Sequence, residues 1–124
     1  MTEATFVPTV YVKEGCPFCL KVRIFMLEAG MLGAVQLREF APGSDEEQAI
    51  RAELAPHLEK ISFPTAMLAP GEYLSDSDAI IAHFAGAAGV DPAKLPTFRA
   101  YSVGVMPQMM SMHRENMELK KRLA

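Results

Sequence analysis

The chain has 124 residues, half of them apolar and 22% charged, with a formal net charge of −3. That length suits one domain around a single core, and the composition is globular rather than disordered or fibrous. The acidic balance speaks against a nucleic-acid partner, and the basic run Lys120 to Arg122 fits the last turn of a helix, where positive charge suits the macrodipole.

The opening residues, MTEATFVPTV, lack a basic start followed by an apolar run. No stretch approaches the roughly 18 uninterrupted apolar residues of a membrane span. Neither a signal peptide nor a membrane contact is expected, and the expected compartment is the cytoplasm. Phe6 to Val12 is β-branched and aromatic, the pattern of a buried strand, with Pro8 near its start or at an edge. After KEG the period changes. Phe18, Val22, Phe25, Met26 and Ala29 recur at helical steps, with Pro17 in the first turn and an end near Gly30 to Gly33. Lys21, Arg23 and Glu28 fall on the wet side of that helix. Ala34 to Phe40 reads as a second strand.

Ser44 with Glu47 forms a capping box for a second helix, with Ile50 and Leu54 inward. Phe63 to Ala69 is a third strand, and PGE turns it into a short fourth, YLS. SDSDAIIAHFAGAAG is a third helix, capped by Ser75 or Ser77, with Ile80, Ile81, Phe84 and Ala88 inward. The order is β-α-β-α-β-β-α: a βαβ unit followed by a hairpin, which is a thioredoxin-like arrangement. Residues 1–90 are expected to form that domain. Residues 91–124 are expected to be a helical extension packed on it or on a second subunit, with helices starting at Pro96 and Pro107.

Cys16 and Cys19, in KEGCPFC, are the only cysteines. A structural zinc would need two more ligands at short spacing, and His57, His83 and His113 each stand alone, so no metal is expected. A staple closing so short a loop would restrict little of the unfolded chain, and a reducing compartment would hold it open. Redox chemistry fits better. The pair lies between a strand and a helix, so Cys16 sits at a helix N-terminus whose free N–H groups favour a thiolate. Lys13 adds positive potential. Cys19, one turn further in, is placed to close an intramolecular disulfide.

CPFC after a strand and a lysine resembles the active site of the glutaredoxins, usually C-P-Y-C. FPTAML and YLSDSDAIIAHF also resemble the N-terminal domain of glutathione S-transferases. The likeness spans about residues 5–89 and implies a glutaredoxin-type fold. It also implies a glutathione-disulfide oxidoreductase that uses glutathione as co-substrate and takes glutathionylated or disulfide-bonded proteins as partners. Cys16 would attack, and Cys19 would be needed only for protein disulfides. Phe63 and a cis Pro64 would pair with the cysteinyl part of glutathione, Asp76 and Ser77 would hold its γ-glutamyl end, and Lys13 its glycyl carboxylate, with Lys21 and Arg23 in reserve. Phe18 replaces the usual tyrosine and keeps an aromatic wall. The glycine pair that many glutaredoxins carry after the third and fourth strands is absent, with PGEYLSDSD in its place, which shifts the likeness toward the transferase groove. The same groove would suit an iron–sulfur cluster held by Cys16 and glutathione between two subunits, or a non-catalytic glutathione-binding adaptor.

The tail is rich in methionine, which suits adaptable packing more than copper. Met109, Met112, Leu119 and Leu123, with Asn116 between them, follow an a/d pattern of two heptads. Two heptads are too few to specify a coiled coil, so either a monomer or a homodimer through this helix is expected.

Overall fold

A computed structural model describes residues 6–124; residues 1–5, which hold part of the segment where no signal peptide is expected and the N-terminal edge of the expected domain, lie outside the described residues. Strand β1 (Thr9–Lys13) runs parallel to β2 (Gln36–Phe40) and antiparallel to β3 (Thr65–Ala69), and β4 (Glu72–Ser75) pairs antiparallel with β3. The sheet order is β2-β1-β3-β4. Helix α1 (Pro17–Glu28) links β1 to β2, α2 (Asp45–Leu54) links β2 to β3, and α3 (Ser77–Ala88) follows β4. The expected thioredoxin-like arrangement is present.

Alternation along β1 divides the core. Val10 and Val12 face α1 and α3 and join Val22, Phe25, Met26, Ile80 and Phe84, all buried. Tyr11 points to the opposite face, where Ile50 and Leu54 of α2 cover it together with Phe40. The sheet is therefore sandwiched, and its strand ends near Lys13 and Thr65 meet the N-terminus of α1.

Several boundaries differ from the expectation for backbone reasons. Proline has no N–H for the ladder, so β1 starts after Pro8, whose carbonyl instead accepts from the Gln36 N–H at 2.8 Å, and β3 starts after Pro64. A short 3₁₀ turn, Leu32–Ala34, delays β2 to Gln36. In α1 the buried stripe begins with Cys19, 1% exposed, while Phe18 is 38% exposed in the first turn and faces out of the core. Ala85 rather than Ala88 is buried in α3. Lys21 is not on a wet face: its side chain is 13% exposed and ion-paired with Asp78.

The tail forms one helical run instead of two helices. It comprises α4 (Pro96–Arg99), a π-helical stretch at Ala100–Val105, and α5 (Met106–Leu123). Pro107 explains the change of pitch. It cannot donate to the carbonyl four residues back, and its ring crowds that carbonyl. The widened turn shifts the bonding by one residue, so that the Met106 N–H reaches the Tyr101 carbonyl. The start of the run is anchored to α1. The Glu28 carboxylate accepts the Thr97 N–H at 2.9 Å and the Phe98 N–H at 2.7 Å, satisfying free donors of the helix end. Phe98 packs edge-on against Phe25 with ring centroids 5.7 Å apart. From Ser111 onward every residue is exposed. Among the described residues no helix is long and apolar enough to cross a membrane.

Candidate active site at the mouth of the first helix

Cys16 is the N-cap residue of α1, and its Sγ accepts the Cys19 main-chain N–H at 3.3 Å. The sulfur thus takes the place of the serine or aspartate oxygen that usually caps a helix. Its pKa is lowered to about 6. The largest cause is the hydrogen bond from the Cys19 thiol; partial burial opposes it, and the main-chain N–H groups of Cys19 and Phe18 add to it. The positive charge of Lys13 contributes least of these causes, less than its place beside the motif suggested. Cys19 is shifted the other way. Its neighbour's sulfur holds its proton in place and burial adds to the effect, while the Lys13 N–H, 3.3 Å from its Sγ, pulls weakly against both. At neutral pH the lowered pKa favours the thiolate at the partly exposed Cys16, and the raised one keeps the buried Cys19 protonated.

On one side of Cys16 lies a hollow of about 210 Å³ walled by Phe18, Ser62, Phe63, Pro64, Asp76 and Ser77. Five of the residues singled out in the sequence therefore meet in one place. The Phe63–Pro64 bond is cis, and the Phe63 carbonyl oxygen lies 4.0 Å from the Cys16 sulfur. Thr65, fully buried, steadies this segment: its hydroxyl donates to the Ser62 carbonyl at 2.5 Å and lies 2.9 Å from the Ser75 hydroxyl. The Phe63 ring sits edge-on to Phe40 at 4.7 Å, with the Arg51 guanidinium 5.3 Å above it. With Ser75 engaged by Thr65, the cap of α3 is neither serine. It is Asp76, at φ 86°, whose carboxylate accepts the Ala79 N–H at 3.2 Å. Ser77 is buried behind it, and Asp76 is exposed at the rim.

On the other side of Cys16 is a second hollow of about 220 Å³, lined by Lys13, Arg23, Leu20, Tyr101 and Met109 among others. Lys13 is thus beside Cys16 but outside the hollow that holds Asp76 and Ser77. Neither reserve cation is free, since Lys21 pairs with Asp78 and Arg23 with Glu39. The sequence does not single out Tyr101, and it marks Met109 only as part of the tail's a/d pattern, not as a neighbour of Cys16. They lie more than eighty residues from the cysteines, and nothing local marks them as neighbours.

Glutathione S-transferase N-terminal domains, as a family model, match residues 10–92. Among solved structures, the chain is similar to glutathione transferase Omega 3C from Trametes versicolor, with 22% identity and a TM-score of 0.54 over 79% of this chain and 42% of that one. Omega 2C from the same organism gives 18% identity and a TM-score of 0.48 over 77% and 40%. A glutathione transferase homolog from sulfitobacter, with bound glutathione, gives 18% and 0.48 over 79% and 50%. This chain spans half or less of the length of each. No curated protein matches it. The sheet order, the cysteine at the helix mouth and the match over most of the chain agree, and the chain belongs to the family of glutathione S-transferase N-terminal domains.

Proposed function

We propose that the chain is a glutathione-dependent thiol–disulfide oxidoreductase of the dithiol, glutaredoxin type, acting in the cytoplasm on glutathionylated or disulfide-bonded proteins. The observation that carries the reading is the Cys16 sulfur, with its pKa near 6, placed between two hollows and beside the Phe63 main chain. At neutral pH it is mostly thiolate, the form that attacks a disulfide.

In the first step Cys16 attacks the glutathionyl sulfur of a mixed disulfide. The Cys16–glutathione bond forms, the old disulfide breaks, and the target thiolate leaves and takes a proton from solvent. The hollow with Asp76 and Ser77 suits the γ-glutamyl end, because a helix N-terminus and a hydroxyl favour a carboxylate while Asp76 can accept from an ammonium. In the second step a glutathione thiolate attacks the Cys16-bound glutathionyl sulfur, which gives oxidised glutathione and restores Cys16. Alternatively Cys19 attacks the sulfur of Cys16, expelling glutathione and forming the intramolecular disulfide. Once Cys16 is in a mixed disulfide, the negative charge that held the Cys19 proton is gone, and the Lys13 N–H remains to favour a Cys19 thiolate.

The test is a glutathione-coupled reduction assay with a glutathionylated peptide and a protein disulfide. Wild type reduces both, Cys16→Ser neither, and Cys19→Ser only the peptide. Turnover by Cys16→Ser would overturn the reading.

A further inference from the structure

Helix α1 is apolar on two sides. Cys19, Val22, Phe25 and Met26 pack into the core, whereas Leu20, Ile24 and Leu27 form a second stripe at steps of four and three residues, with Ile24 half-buried. By helical spacing that stripe continues the line of Cys16, four residues before Leu20. Neither the sheet nor the tail covers its ends: Leu20 is 45% exposed and Leu27 66%, while α4 packs on the Phe25 side of the helix. A second apolar face on a surface helix marks a contact that the chain does not make with itself.

The stripe also has a far wall. Leu32 from the 3₁₀ turn and Leu37 from β2 join Leu20, Arg23, Ile24 and Leu27 around a hollow of about 270 Å³. A cavity of about 150 Å³ already accommodates a benzene ring, so this one has room for aliphatic side chains. Its one charged residue, Arg23, is ion-paired with Glu39. Leu20 and Arg23 also line the hollow beside Cys16 that holds Tyr101 and Met109, so the two hollows make one trough leading away from the sulfur.

We infer that this trough holds an extended apolar segment of the protein whose disulfide Cys16 reduces, the residues next to the target cysteine lying along Leu20, Ile24 and Leu27. The inference rests on the oxidoreductase reading above, and continuity with the reactive sulfur chooses the occupant. With glutathione in the hollow of Asp76 and Ser77, the target chain takes the other side of Cys16, where Leu20 is the first aliphatic side chain along the stripe. From Cys16 to Leu27 is about 16 Å at 1.5 Å per residue, the span of about five extended residues. Alternate side chains of an extended segment share a face, so the second and fourth residues from the target cysteine enter the trough. A polar segment would lose its water there without finding partners, because all the lining residues but Arg23 are aliphatic.

The test uses the full chain and two glutathionylated peptides, one with leucine at the second and fourth positions on each side of its cysteine, the other with serine there. The mixed disulfide of glutathione and mercaptoethanol is the small control substrate. Wild type should show a KM about tenfold lower for the leucine peptide. Leu27→Gln and Leu32→Gln, both at exposed positions, should each raise that KM several-fold, with kcat and turnover of the small disulfide unchanged. Methyl NMR with the leucine peptide, serine replacing its cysteine, reads docking without turnover, and its shifts should cluster on Leu20, Ile24, Leu27, Leu32 and Leu37. Equal KM values for the two peptides, or glutamine variants that leave the leucine peptide's KM unchanged, overturn the inference. So do methyl shifts that appear instead on raising the protein concentration alone or on adding phosphatidylcholine vesicles, which would give the face to a second copy or to lipid. A wild type that does not turn over the small disulfide, yet shows the peptide shifts, would overturn the oxidoreductase reading and leave the docking surface standing.

Discussion

Tyr101 donates its phenolic hydrogen to the main-chain carbonyl of Pro17 at 2.7 Å, tying the tail to the first turn of the helix that begins at Cys16. Burial, and then the negative charge on Cys16, push the phenol pKa up, so the donor keeps its proton. Tyr101→Phe keeps the ring as a wall of the second hollow and removes only this bond. The expected cost is about 1 kcal/mol, read as a lower urea midpoint with an unchanged slope. The pH dependence of Cys16 reactivity should barely move, because its main causes lie within residues 16–19.

That pH dependence is a second prediction. Reaction of Cys16 with iodoacetamide should rise through pH about 6 and level off above it. A pKa lowered on folding stabilises the folded state above the unfolded value and ceases to do so below the folded one. The stability of the reduced protein relative to Cys16→Ser should therefore grow from pH about 6 toward the ordinary thiol range and be lost as pH falls through 6. Cys19→Ala, which removes the strongest cause, should raise the Cys16 pKa more than Lys13→Ala, which removes the weakest. The opposite ranking would show that the charge, not the hydrogen bond, holds the anion.

The tail is part of the core, and this too can be measured. Phe98 is buried against Phe25, so Phe98→Ala should cost about 3 kcal/mol or more in urea unfolding. Glu28 supplies a pH-sensitive element. Desolvation works against its ionisation, but the Phe98 and Thr97 N–H groups outweigh this and keep its pKa below the usual carboxylate range. Its contribution is then present above that range and lost as pH falls below it. Acidification should loosen the tail, seen as faster amide exchange at Thr97 and Phe98.

How far these features could be read from the chain depends on their range. The helical stripe 22–25–26 and the Ser44 cap are local patterns, and the structure contains both. Even there the capping box is offset: Glu47 reaches the Gly43 N–H rather than that of Ser44. Phe18 falls on the helical stripe by spacing, yet it is exposed in the first turn and walls the hollow, because periodicity describes a face but not where the sheet beneath it ends. The gathering of Phe63, Pro64, Asp76 and Ser77 was legible only through a family likeness, since their neighbours in space are distant in sequence. Glu28 capping the tail, and Tyr101 beside Cys16, had no signal at all, because each joins residues about seventy or more positions apart. Cavities and ion pairs are made by packing, and packing is not periodic.

Asp76 performs two tasks in the proposed reading, and the two can be separated. Its carboxylate caps α3 through the Ala79 N–H, and its φ of 86° disfavours most side chains. Asp76→Ala would lose the cap, about 1 kcal/mol, and add backbone strain, so any loss of activity could follow from the fold alone. Asp76→Asn keeps an acceptor oxygen for the cap and a side chain that tolerates positive φ, while removing the charge. If the carboxylate also accepts the γ-glutamyl ammonium, the asparagine variant should keep wild-type stability to within about 0.5 kcal/mol. Its KM for glutathione should rise several-fold, with kcat little changed, because a binding contact far from the reacting sulfur acts equally on ground and transition states. An unchanged KM in Asp76→Asn, with instability confined to Asp76→Ala, would leave Asp76 a helix cap and nothing more.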